Sequence, residues 1–247
     1  MEPSWRKSAV EKLLLSAVAI IPARGGSKRI PRKNLKLFDG VPMIVRSIRT
    51  ALASRLFDDV IVSTDDEEIA ELAQVHGAQV PFMRPATLAD DFTGTAVVIA
   101  HALGELHERS FDFACCIYAT APLLQARFLH QGLELLREHP AKSFAFAVTG
   151  FGFPVQRALT LDQQGALTPL YPQFRDTRSQ DLPEAFQDAG QFYWGRREAW
   201  LRGDVLFSPK SLPVVLPRHL VQDIDTPEDW KRAEYLYAAL KAGGELE

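Results

Sequence analysis

Short apolar runs alternate with helical patterns through the first 150 residues of this chain, and that rhythm restricts the fold more than any single motif does. Strand-like runs fall at about 17 to 21 (AVAII), 60 to 63 (VIVS), 79 to 83 (QVPFM), 113 to 118 (FACCIY) and 144 to 149 (FAFAVT). Between them, residues 43 to 54, 66 to 76, 94 to 108 and 126 to 138 carry apolar side chains three and four apart, the spacing of one helix face. Thr64 followed by Glu67 fits a capping box for the second helix, and Gly77 stands where it stops. The alternation predicts an α/β fold, a mostly parallel sheet covered by helices on both faces.

After Thr149 the rhythm breaks. From 150 to about 195 the chain is rich in Gly, Pro, Gln and aromatics, which reads as an inserted antiparallel arm, either a dimer arm or a lid. The α/β pattern resumes at SLPVVL and closes with a helix from Pro227 to about Leu240, with Thr226 as N-cap and Trp230, Ala233, Leu236, Tyr237 and Leu240 facing the core. The expectation is one domain over 1–247, with residues 1–16 as an N-terminal extension.

With 47% hydrophobic and 24% charged residues, the chain is neither disordered nor membrane-like. No apolar run reaches the roughly 18 to 20 residues a bilayer span needs. Arg6 and Lys7 precede the first apolar run, but Glu2 and Glu11 dilute them, which argues against a signal peptide. The adjacent Cys115 and Cys116 cannot form an ordinary disulfide, which suggests a reducing compartment and a cytoplasmic location. A net charge of −3 excludes a global grip on nucleic acid.

A local exception to that charge is AIIPARGGSKRIPRKN, which sets five cations directly after the first strand. Ligands of open α/β sheets bind at strand carboxyl ends. The backbone amides of Gly25, Gly26 and Ser27 and the charges of Arg24 and Lys28 suit an anion there, phosphate above all. The stretch is neither a Walker A loop nor a G-x-G-x-x-G turn. Without a ligand it would be an exposed basic loop, and its lack of interleaved aromatics argues against RNA.

In VQDIDTPEDW, Asp223 and Asp225 are two apart in an extended segment and share a face, with Ile224 turned to the core. Alone the pair also reads as a solvated strand end or as capping acids. Beside a phosphate site, two carboxylates suit Mg²⁺, which completes its shell with phosphate and water.

The stretches IIPARGGSKRIPRKN, VSTDDEEIAELAQVHGA, RPATLADDFT and DIDTPEDW resemble the motifs of the CMP-sialic acid synthetase family of cytidylyltransferases. FPVQRAL, TRSQDLPEAFQDAGQFYWG and CCIYATAP are similar to its pseudaminic acid branch, and the similarity runs from about Ala17 to Leu240. The resemblance implies a Rossmann-like nucleotidyltransferase fold, a homodimer, and condensation of CTP with a nine-carbon 2-keto sugar acid. It implies that Arg24, Ser27, Lys28 and Lys33 bind the triphosphate, that Asn34 contacts the ribose, that Arg84 and Thr95 read cytosine, and that Asp223 and Asp225 hold the metal.

Tyr118 stands where sialic acid enzymes commonly carry Gln, so it joins Gln156, Arg157, Gln191 and Tyr193 as a candidate for the sugar pocket. The alternative within the class is N-acetylneuraminic or legionaminic acid as substrate. From another class comes a nucleotide-sensing module without turnover, against which the two aspartates argue. His101 and His107 lack zinc spacing, Cys115 and Cys116 read as strand residues, and TDDEE reads mainly as a helix start, with Asp65 able to point into the crevice.

Overall fold

The computed structural model describes residues 16 to 246, so the N-terminal extension lies outside the described residues apart from Ser16. Its centre is a six-stranded sheet in the order β10-β6-β9-β5-β1-β4. These strands are β1 (Ala17–Pro22), β4 (Asp59–Ser63), β5 (Phe113–Ile117), β6 (Phe144–Gly150), β9 (Phe186–Arg196) and β10 (Ser211–Leu216). β1 runs parallel to β4 and β5, and β6 runs parallel to β10, while β9 is antiparallel to both of its neighbours.

Helices cover both faces, which is why the central strands read as unbroken apolar runs rather than alternating ones. One layer of core packs Ala17, Ala19 and Ile21 of β1 against α1 (Met43–Ser54), α2 (Glu67–Val75) and α4 (Ala126–Glu138). Val18 and Ile20, pointing the other way, pack against α3 (Thr95–Glu105) and α5 (Arg197–Arg202). A third cluster joins Ile30, Phe38, Met43, Ile224 and Trp230, and so ties the loop after β1 to the start of α6 (Pro227–Gly243). α6 is N-capped by Thr226, as its sequence predicts, and Asp229 completes a capping box with it. No helix among the described residues is long and apolar enough to cross a membrane.

Three local expectations are corrected. Residues 79–83 form no strand: Gln79 makes a single bridge to Ile61, and Pro81 has no N–H to extend it. α2 is capped by Asp66, whose side chain accepts from the Ile69 N–H, rather than by Thr64. Thr64 instead accepts from the Asp66 N–H at 3.1 Å, one step earlier in the turn. The excursion expected over 150–195 ends sooner. It holds the small antiparallel pair β7 (Leu159–Leu161) and β8 (Leu167–Pro169), whereas residues 186–196 form β9 inside the main sheet. β9 escaped the pattern because it opens with polar residues, Gln187 and Asp188, and bulges before it enters the core. The remaining pair, β2 (Leu37–Phe38) and β3 (Val41–Pro42), leads into α1.

Packing at β9 leaves no room for added volume. A Cβ on Gly195 would lie 2.7 Å from the Phe144 ring and run into the Trp200 indole, whose Nε1 donates to the Ala114 carbonyl at 3.1 Å. Gly195→Ala is therefore expected to lower the stability by about 1–3 kcal/mol, the usual range for overpacking. Urea unfolding followed by tryptophan fluorescence measures it, and an unchanged midpoint would show that the site yields freely.

Candidate active site

A cleft of about 520 Å³ opens at the carboxyl ends of β1 and β5, where an open α/β sheet binds its ligands. Arg24, Ser27, Lys28, Lys33 and Asn34 reach it from the loop after β1, and Asp223 and Asp225 from the segment before α6. Arg84, Thr95 and Tyr118 line its other side. Ten of the candidates read from the sequence are thus brought together by elements far apart in the chain.

The loop after β1 is held by its own polar contacts. The Gly25 N–H donates to Asp65 Oδ1 at 3.1 Å and the Ser27 N–H to the Gly25 carbonyl at 3.0 Å. Those two amides are committed within the protein, which corrects the expectation that they stand open to an anion, and neither Gly25 nor Gly26 lines the cleft. Gly25 is needed for space, since a Cβ there would strike the Asp66 carboxylate. Arg32 faces away from the cleft and pairs with Asp66 and Glu68. Burial works against the Asp66 carboxylate, yet its hydrogen bonds from Arg32 and the Ile69 N–H keep its pKa below the usual range.

The other cations face acids across the cleft. Arg24 lies 2.7 Å from Asp91 and donates to the Asp90 carbonyl at 2.6 Å, and Lys28 pairs with Asp91 as well. These hydrogen bonds, from Lys28 first and then Arg24, hold the Asp91 pKa below its ordinary value. Lys33 donates to the Ile224 carbonyl at 2.6 Å and stands 3.6 Å from Asp225, while Arg29 approaches Asp225 to 2.8 Å. Asn34, buried, donates from Nδ2 to the Arg24 carbonyl at 3.0 Å.

Arg84 is the most unusual of the lining residues. It is 6% exposed, and its Nε and Nη2 have no hydrogen-bond partner. Its nearest anion is Asp65, 3.6 Å from Nη2, but Asp65 does not line the cleft and instead accepts the Gly25 N–H. Burial lowers the Arg84 pKa against the opposing charge of Asp65. A buried guanidinium with idle donors costs free energy; Arg84 lines the cleft, while its Nε and Nη2 are themselves closed off by protein.

Asp223 lines the cleft as an exposed residue. Desolvation of its carboxyl raises its pKa, and the charge of Asp225 raises it further. The two acids flank Ile224, which is fully buried, as the extended spacing requires. Two hard oxygen donors under mutual repulsion form a set that a divalent cation fits. Among the described residues no third His, Cys, Asp or Glu joins them in a metal-binding group, so the rest of a shell falls to ligand and water.

Four candidates for the sugar pocket do not line the cleft. Gln156 and Arg157 donate to the Pro183 and Thr177 carbonyls of the excursion, at 2.9 and 2.8 Å. Gln191 and Tyr193 are buried in β9, where Gln191 donates to the Leu220 carbonyl at 2.6 Å and Tyr193 to Asp188 at 2.6 Å. Only Tyr118 of that group reaches the cleft. Sequence reading missed Arg29, Asp90, Asp91 and Thr93 as lining residues. The stretch RPATLADDFT carried the last three, but nothing in it says that its acids face the basic loop.

The sequence profile of the Cytidylyltransferase family matches residues 18–197. A pseudaminic acid cytidylyltransferase of Campylobacter jejuni is 46% identical over 222 residues, 89% of this chain and 95% of that protein. A CMP-N,N'-diacetyllegionaminic acid synthase of Legionella pneumophila is 28% identical, over 89% of this chain and 95% of that protein. Among solved structures, CMP:2-keto-3-deoxy-manno-octonic acid synthetase complexed with CTP superposes with a TM-score of 0.66 at 20% identity, covering 91% of this chain and 99% of that one. That likeness concerns the fold, a mostly parallel sheet between helices. Profile and close relatives span nearly all of the sheet and the cleft, and the chain belongs to the cytidylyltransferase family.

Proposed function

We propose that the chain condenses CTP with pseudaminic acid, releasing pyrophosphate and forming the CMP-sugar. The observation that carries this reading is Arg84, a buried guanidinium on a cleft also lined by Arg24, Lys28 and Lys33. Its donors suit the O2 and N3 acceptors of cytosine, and the loop cations suit a triphosphate. Pseudaminic acid is favoured over other sugar acids by the 46% identity to the Campylobacter jejuni enzyme. The Legionella pneumophila relative keeps a legionaminic acid as the second reading.

In the reaction the sugar's anomeric oxygen bonds to the α-phosphorus as the bond from that phosphorus to the bridging oxygen breaks. The hydroxyl proton passes to solvent, and pyrophosphate leaves in line. Arg24, Lys28 and Lys33 neutralise charge on the triphosphate and on the departing group, with the Ser27 hydroxyl beside them. Asn34 borders the ribose, Arg84 and Thr95 the base, and Tyr118 the sugar. Asp223 and Asp225 would hold Mg²⁺, which supplies charge neutralisation at the phosphates. Asp91 stands in for the phosphates on Arg24 and Lys28, and a bound triphosphate takes its place.

The reading also treats the chain as one catalytic domain whose excursion is a dimer arm. Phe153, Leu159, Leu161 and Leu167 are exposed on that excursion, an apolar surface of the kind an interface covers. Sedimentation velocity on the full chain is expected to give a dimer, and a monomer across micromolar concentrations would remove the arm's role.

Purified protein with CTP, Mg²⁺ and a panel of nonulosonic acids should release pyrophosphate fastest with pseudaminic acid. No release with any of them would refute the enzyme reading, and equal rates would refute the sugar assignment. A second test separates the catalytic work of Asp223 from its cost to the fold. Its raised pKa means that the folded state favours the protonated carboxyl, so ionisation destabilises the fold as pH rises through that pKa. Asp223→Asn should therefore abolish turnover and yet raise Tm at pH 7, with the gain shrinking in acid where wild type is also protonated. A lower Tm at pH 7 would contradict the assignment of strain to that carboxylate.

A further inference from the structure

The cations lining the cleft are Arg24, Lys28, Arg29, Lys33 and Arg84, and they differ in what holds them. Arg24 and Lys28 share Asp91. Lys33 donates to the Ile224 carbonyl at 2.6 Å and its side chain is 20% exposed, while Arg84 is buried. Arg29 is held more loosely. Among the described residues its guanidinium has a single partner, Asp225, whose Oδ1 lies 2.8 Å from Nη2, and the side chain is 65% exposed. Its backbone is less free, because Ile30, the next residue, is buried in the same cluster as Ile224, which separates Asp223 from Asp225. Packing therefore fixes the base of Arg29 beside the two aspartates and leaves its long side chain able to turn over the cleft.

The chemistry of the sugar acid calls for a cation at that spot. In the ring form of a 2-keto sugar acid, the anomeric carbon carries both the attacking hydroxyl and the carboxylate. The carboxylate therefore arrives wherever the attack takes place, next to the α-phosphate and the paired aspartates. Both of those neighbours are anionic, and like charges at short range repel unless a cation lies between them. Arg157, the arginine expected in the sugar pocket, donates to the Thr177 carbonyl of the excursion at 2.8 Å and does not line the cleft. Arg29 does. Its contact through Nη2 alone leaves donors of the planar guanidinium free, and that fork takes a carboxylate through two parallel N–H bonds. Asp225 is also the partner that a divalent cation on the aspartates would claim, which releases Arg29 to turn to the substrate.

We propose that Arg29 binds the carboxylate of the sugar acid, giving up Asp225 for that carboxylate as the substrate enters. The inference rests on the reading of this cleft as the place where CTP meets a nonulosonic acid. It applies to pseudaminic and legionaminic acid alike, because both carry the carboxylate and the hydroxyl on one carbon. A bidentate pair fixes the plane of the carboxylate, and with it the direction of the hydroxyl that attacks. Arg29 thus does two things at once: it offsets the repulsion that the acid would meet, and it aims the nucleophile.

The test is titration calorimetry of pseudaminic acid into the full chain saturated with Mg²⁺ and α,β-methylene-CTP, whose bridging carbon prevents transfer. Arg29→Gln is expected to weaken binding of the acid by about tenfold or more, as loss of a charge-assisted hydrogen bond does. Its affinity for the nucleotide analogue, measured before the acid is added, should stay close to that of wild type. Arg29→Lys keeps the charge without the fork and should recover part of the loss. The carboxamide of the same sugar carries no charge, so wild type and Arg29→Gln should bind it alike. A folded Arg29→Gln that binds the acid as wild type does would overturn the proposal. So would parallel loss of acid and nucleotide analogue, which would assign Arg29 to the phosphates. Wild-type protein that takes the nucleotide analogue and then neither pseudaminic nor legionaminic acid would instead overturn the substrate reading, and the proposal with it.

Discussion

A small apolar cluster holds the two halves of this cleft together. Ile30 from the basic loop, Ile224 from between the two aspartates, and Phe38, Met43 and Trp230 pack as one unit. Ile30 and Ile224 are both buried, so each brings its charged neighbours to the rim of a dry contact. Burying such side chains stabilises by roughly 1.5–3 kcal/mol each, more than an exposed ion pair supplies. The position of Lys33 over the Ile224 carbonyl and of Arg29 beside Asp225 therefore follows from apolar packing, with the charges aligned by it. Phe38 also stacks edge-on to Trp230 at 5.5 Å, which fixes the start of α6 against the loop.

Charge within the cleft is balanced in a way that suits exchange. Arg24 and Lys28 share Asp91, and Asp225 shares Arg29 and Lys33. These pairs are partly exposed and so are individually weak, which lets a polyanion displace them at small cost. Arg84 differs, because it has no full partner to give up. The proposed base site is thus preorganised, and the proposed phosphate site is one that trades acids for phosphates.

The fold was legible because its strands are buried on both faces and its helices on one. AVAII and FAFAVT could only be central strands of a covered sheet, and the spacing of Ile44, Ile48 and Ala51 marks the buried side of α1. Boundaries failed where a local signal met a tertiary demand. Pro81 stopped a strand that the apolar pattern allowed, and Asp66 took the cap that Thr64 was expected to supply. In the site, Arg24, Lys28, Lys33, Arg84, Thr95, Tyr118 and the two aspartates converge on one cleft, while Arg32 of the same loop does not. Gln156, Arg157, Gln191 and Tyr193 do not, because motif resemblance carries no direction for a side chain. Gln191 and Tyr193 alternate with core residues on β9, and both turn into the protein rather than the cleft.

By itself the sequence determined the βαβ rhythm, the cationic loop at the end of the first strand, the paired acids near residue 224 and the membership of a cytidylyltransferase family. The first three are properties of neighbours along the chain, namely periodicity, charge and spacing, and the family is carried by the resemblance of its motifs. Only the tertiary structure decided which charges meet, since Arg24 and Asp91, or Lys33 and Ile224, are brought together by packing across long loops. It alone decided that Arg84 is buried with idle donors. It alone set Tyr193 against Asp188, because a bulge in β9 is a mismatch between two strands and has no mark in either one read alone.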